Sequence, residues 1–205
     1  MNKVGISLGW DCDPAAKAVK AGVRKTKAQG YKTCPFDIGI SNYEGLIKCL
    51  KEDFKFFCDT NYLKLFHAPC DIPPSLCKNE RLIYNTRYNF IFNHESPDHG
   101  GCGTGDLWKK EKWPGGSDHY IANNFKEFII RYSNRINNFR EYLNGDNYII
   151  FYITKLDSDV SELKKVIEEK YPNLKFDIHF SLTSCPEGQT PGYHFNENHK
   201  LMYRN

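Results

Sequence analysis

The stretch Val4-Gly5-Ile6-Ser7-Leu8-Gly9-Trp10-Asp11-Cys12-Asp13-Pro14 decides how the rest of the chain is read. An apolar run of strand length meets a glycine, then a cysteine, then a helix-start signal. Asp13 suits an N-cap, and Pro14 suits the first helical position, where no backbone N–H is needed. Ala15 to Lys20 read as the helix that follows. Cys12 then stands at a helix mouth, facing unpaired N–H groups and the positive end of the dipole. That environment lowers a thiol's pKa and favours the nucleophilic thiolate. The ordinary fate of a free cysteine, a small buried hydrophobe, weighs about evenly against this reading.

The C-terminal half repeats the strand–helix alternation. Tyr148 to Ile153 is a continuous apolar run, as in a strand buried on both faces. Asp157 to Tyr171 is amphipathic through Val160, Leu163, Val166 and Ile167, and Phe176 to Leu182 reads as a further strand. Together they predict a βαβ unit, right-handed by the usual rule. Between the two ends, Ser41 or Asn42 caps a helix over Tyr43 to Phe57, and Tyr62 to His67 makes a short strand. Arg81 to Asn93 reads as one strand or a hairpin arm that runs into His94-Glu95. Asp118 to Leu143 is the longest helical pattern and is closed by Gly145. The tail after Cys185 carries little regular signal. The reading is an α/β fold: a three-layer sandwich with a mainly parallel sheet that includes the strands near 4–8, 148–153 and 176–182.

Composition bounds the rest. A chain of 205 residues with 40% hydrophobic and 15% aromatic content is a globular domain, taken here as one domain over 1–205. Its 28 basic and 25 acidic residues leave +3 spread without any block of like charge, so no nucleic-acid surface is indicated. No signal-peptide pattern opens the chain, and no run approaches the roughly 18 apolar residues of a membrane span. The eight cysteines are irregularly spaced without a C-x-x-C, which suggests free thiols in a reducing, cytoplasmic setting.

A cysteine nucleophile needs a base and often a group to orient it. Of seven histidines, His94 is best placed, because it follows an apolar strand at the edge where α/β folds carry their sites. Asp11, Asp37, Glu95 and Asp98 are the available carboxylates. Asp37 stands out in the Pro35-Phe36-Asp37 turn, although an aspartate there can simply satisfy backbone amides. His179 is isolated on its strand and structural unless strand order brings it to the same edge. His94, His99 and Cys102, with Asp98 nearby, offer metal-ligand types in a spacing that fits no standard zinc pattern. Gly100 to Gly105 lacks the ending of a P-loop and the setting of a dinucleotide fingerprint. No metal and no cofactor is called for. The loop Ser96 to Ser117 holds six glycines with Trp108 and Trp113. It reads as a lid whose tryptophans pack beside His94, or else as a surface loop anchored far from Cys12.

Several separated segments resemble one family in order along the chain. They are Ile6-Ser7-Leu8-Gly9-Trp10-Asp11-Cys12, Cys34-Pro35-Phe36-Asp37, Gly45-Leu46-Ile47 with Asp53-Phe54, Phe92-Asn93-His94-Glu95, and Arg135-Ile136-Asn137-Asn138-Phe139 before Ile149-Ile150-Phe151-Tyr152. They resemble the papain-like cysteine peptidases of unassigned role found in bacteria and large DNA viruses; for a viral member the setting would be host cytoplasm. The resemblance implies Cys12 as nucleophile, His94 as base and Asp37 as the aspartate of the Pro-Phe-Asp block, which here continues with Ile38 where the family often has tryptophan. Gly9, Trp10, Asp11, Phe36 and Glu95 become candidate substrate contacts. The family label implies a papain-like α+β fold as the alternative to the Rossmann-like or SGNH-like layout suggested by Cys12 following a predicted strand and by the βαβ unit that ends the chain. The implied function is a cysteine-dependent hydrolase of peptides. The alternatives are an SGNH-like hydrolase or transferase acting on glycans or acyl groups, and a non-catalytic binding module. A peptide or glycan substrate is the expected partner, with no nucleic acid and no membrane.

Overall fold

The apolar run near residue 150 is the middle strand of a parallel sheet. The computed structural model describes residues 2–68, 80–97, 113–155 and 157–182, with short strands at 193–195 and 201–203. Strand β1 (Asn2–Ser7) and strand β6 (Lys175–Leu182) flank β5 (Asn147–Lys155), all parallel, in the order β1-β5-β6. Because side chains alternate across a strand, β5 serves two cores. Ile150 and Tyr152 meet Ala18 of helix α1 (Asp13–Lys20) on one face. Gly5 allows that helix to lie close, since an added Cβ would stand 2.9 Å from the Cβ of Ala18. On the other face Ile149, Phe151 and Ile153 join helix α3 (Ala122–Asn144), with the rings of Phe139 and Phe151 6.5 Å apart. Helix α4 (Ser161–Lys170), the crossover from β5 to β6, buries Leu163, Val166 and Ile167 in the same cluster. The result is the three-layer α/β arrangement that the sequence predicts.

A second, antiparallel sheet holds β2 (Leu63–Ala68), β3 (Glu80–Asn85) and β4 (Phe90–Phe92), so the segment 81–93 is a hairpin. Asn85 organises its turn: the side-chain oxygen accepts the N–H groups of Arg87 and Tyr88, both at 3.0 Å. Helix α2 (Tyr43–Lys51) is capped by Asn42, which accepts from Gly45 N at 2.7 Å. It stops short of Phe57 because Asp53 and Phe54 turn left-handed, at φ 48° and 61°. That turn sends Phe54 and Phe57 into an aromatic cluster with Phe36, Phe90 and Phe139. Helix α4 starts later than the amphipathic stretch from Asp157 suggests. Asp157 and Asp159 each bond a backbone N–H two residues on and hold the chain in turns. A small antiparallel pair, β7 (Tyr193–Phe195) and β8 (Leu201–Tyr203), lies in the tail. No helix among the described residues is long and apolar enough to cross a membrane.

Candidate active site

The chain leaving β1 stays beside β5: Leu8 N donates to Tyr152 O at 2.8 Å, and Thr154 N donates to Gly9 O at 3.1 Å. The next link runs sideways. Ser41 N donates to Trp10 O at 2.8 Å, while Ile40 exchanges both backbone hydrogen bonds with Ile91 of β4, at 2.7 and 2.8 Å. Gly9 permits this approach, for its φ is +93° and a Cβ there would stand 1.8 Å from Ser41 Oγ. Segment 34–41 is therefore a splice. It fastens the loop carrying Cys12 to the strand that runs directly into the 3₁₀ turn Asn93–Glu95, with His94 three residues after Ile91. His94 thus comes off the antiparallel hairpin, and not off the parallel sheet as its sequence position suggested.

Cys12 is exposed and is itself the N-cap of α1, one residue earlier than the sequence predicts. The reason is Asp11, whose Oδ1 accepts the N–H of Asp13 at 2.8 Å and takes over the capping. This placement corrects the expected electrostatics. Partial burial and the carboxylates of Asp11 and Asp13 raise the Cys12 thiol above its ordinary value, against the pull of its backbone N–H. Burial first and the Asp11 charge second outweigh what the helix end offers the thiolate. The other described thiols are further from reaction: Cys34 and Cys49 are fully buried and pushed up, and Cys58 is pushed up to about 11 by burial. Replacing Asp11 and Asp13 with asparagine removes the charges that oppose the thiolate. The pH midpoint for alkylation of Cys12 by iodoacetamide then falls and labelling at pH 7 accelerates, as peptide mapping would read directly. Slower labelling in that variant would mean that the carboxylates activate the thiol.

Asp37 lies in the interior at 1% exposure. Its Oδ1 is 2.6 Å from Arg24 Nη1, and its Oδ2 accepts Cys34 N at 2.6 Å across the Pro35-Phe36 turn. Arg24 stacks 3.9 Å over Tyr31, whose hydroxyl donates to Cys34 Sγ at 3.5 Å. Burial holds the Asp37 carboxyl above its usual range against the attraction of Arg24. Both oxygens thus serve the turn. Of the substrate candidates, Asp11 is partly exposed, while Gly9, Trp10, Phe36 and Glu95 are buried. Glu95 faces Arg135 Nη1 at 3.0 Å and Arg131 Nε at 3.1 Å, two cations that the sequence reading did not single out. Arg135 was visible as a charge inside the apolar stripe of α3, between Tyr132 and Phe139.

His179 sits on the α1 side of the sheet, exposed, in register with Tyr152 and 5.2 Å from its ring. Asp98, His99, Cys102 and Trp108 lie outside the described residues, so the metal reading and most of the lid fall there. Trp113 is described and is packed inward at 7% exposure, edge-on to Tyr120 at 4.8 Å. Among the described residues no group of three His, Cys, Asp or Glu side chains could hold a metal ion.

No curated protein and no solved structure matches the chain. A family model does, over residues 3–183, and so the chain belongs to the DUF1796 family, whose description reads "Putative papain-like cysteine peptidase".

Proposed function

We propose that this protein is a cysteine-dependent acyl hydrolase acting on peptides, with Cys12 as nucleophile and His94 as base. The observation that carries the reading is the splice: Trp10–Ser41 and Ile40–Ile91 bonding fastens the loop of Cys12, the one exposed thiol among the described residues, to the turn bearing His94. Because the resting thiol is held protonated, His94 takes the Sγ proton as sulfur attacks the carbonyl carbon, and returns it to the departing amine. Water then cleaves the thioester. Asp37 anchors the splice through Arg24 and Cys34 N, and Asp11 is the substrate contact open to solvent. A second reading, an acyl- or glycan-directed hydrolase or transferase, is favoured by the position of Cys12 directly after the first strand of a parallel sheet, at the edge where α/β folds bind ligands.

Incubation with p-nitrophenyl acetate tests both. The expected result is a burst of p-nitrophenolate stoichiometric with protein and an acetyl group mapped to Cys12 alone. Cleavage of a fluorescent casein separates the peptide reading from the acyl or glycan one. Acetylation scattered over several thiols and lysines, with no burst, would leave only a binding module.

A further inference from the structure

We infer that Arg135, acting through Glu95, is a positioning residue for His94. This deepens the Cys12–His94 reading and rests on it. Glu95 directly follows His94 in a turn of three residues, so a fixed Glu95 carboxylate fixes the backbone from which the imidazole projects. The carboxylate is 1% exposed, and the Arg135 side chain facing it is 6% exposed. Arg135 is itself held, lying 4.5 Å over the ring of Tyr132, whose hydroxyl donates to Ile38 O at 3.3 Å in the splice. The far end of the turn is pinned by Ser96, whose Oγ accepts Ile83 N at 2.8 Å and donates to Phe92 O at 2.9 Å.

As a stabilising device the pair is poor. Burying two charges costs more than their attraction returns unless directed hydrogen bonds satisfy them. Here neither Glu95 oxygen, nor Arg135 Nη1, nor Arg131 Nε makes a directed hydrogen bond, although the ions are in contact. Asn93 Oδ1, on the other side of His94, is also buried without a partner. Both neighbours of His94 therefore hold polar atoms at an energetic cost where leucine or methionine would pack for less. Such a cost concentrated on one turn fits the placement of a group, and the residue that both costly neighbours flank is His94.

The test is the double variant Glu95→Leu with Arg135→Met, which fills the same space without charge. Arg131 keeps its contact with Tyr120 and is 39% exposed, so it is not stranded. The expected result is a melting temperature near that of the parent and Cys12 acetylation by p-nitrophenyl acetate at pH 7 reduced about 100-fold, the scale of a misplaced catalytic group. Alkylation by iodoacetamide above the pH midpoint for Cys12 labelling, where hydroxide and not His94 removes the proton, stays unchanged. Acetylation at the parent rate in a folded double variant would overturn the inference and leave the pair as core filling. His94→Asn is the parallel arm: if it acetylates like the parent, the Cys12–His94 reading itself is wrong, and the positioning role goes with it. Should the double variant not fold, Glu95→Gln, which keeps the volume and removes the charge, is held to the same two outcomes.

Discussion

Cys12→Ala is expected to remove the p-nitrophenolate burst and the acetyl adduct together, and His94→Asn to slow acetylation by about 10²–10⁴-fold, the range of general-base catalysis. The first effect is total because Cys12 supplies the attacking sulfur, and among the described residues no other thiol is as open: Cys34 and Cys49 are without exposure, and Cys58 is held near 11. Cys12 is at the surface, so its loss opens no cavity and changes stability by no more than about 0.5 kcal/mol. The second effect is large because partial burial, and then the carboxylates of Asp11 and Asp13, keep the proton on sulfur, and something must take it during attack. Stopped-flow bursts beside melting curves separate chemistry from folding. A burst surviving in Cys12→Ala would mean that the nucleophile is elsewhere.

Asp37→Ala is expected to cost about 3–5 kcal/mol, the usual price of stranding one half of a buried ion pair. Its loss leaves the Arg24 side chain, 10% exposed, without its carboxylate and Cys34 N without an acceptor. Urea midpoints would read the change, and a loss under about 1 kcal/mol would mean that Arg24 finds solvent. Asp37→Asn is milder, since it keeps an acceptor for Cys34 N. The comparison also has a pH signature. The carboxyl is raised in the folded state, so the native protein binds its proton more tightly than the unfolded chain. The stability from that proton is complete below the ordinary carboxylate range and is lost as pH rises through the raised value. Asn carries no such proton. The stability gap between the parent and Asp37→Asn therefore narrows from acid toward neutral pH.

Legibility in the sequence followed how locally each feature was written. Strands β1, β5 and β6 and the crossover helix α4 were plain, because apolar runs and helical periodicity state burial directly. The hairpin over 81–93 was not, since its turn holds neither glycine nor proline and instead uses Asn89 at φ 55° and the side chain of Asn85. The end of α2 was hidden in the same way, by a phenylalanine in a left-handed conformation. Cys12, His94 and Asp37 could be named as candidates from the residues and the family resemblance. The pairing of Ile40 with Ile91 that fastens their loops could not, because nothing local to either residue encodes it. The electrostatics of Cys12 are legible only in part: Asp11 and Asp13 are its neighbours in sequence, but the partial burial that raises the thiol most is set by tertiary packing.

Helix α3 grips the site from behind at three heights. Asn138 donates to Thr33 O at 3.0 Å, Tyr132 reaches Ile38 O, and Arg135 faces Glu95. Loops normally fluctuate open on their own, with amide protons exchanging at little free-energy cost. Here the splice and the His94 turn are fastened to one long helix and to each other, so neither can open without releasing the other or lifting α3. The amides of Ile40, Ser41 and Ile91 would then exchange with deuterium at one common opening free energy, close to that of the middle of α3. Segments that look like surface loops would belong to the slowest cooperative unit of the protein.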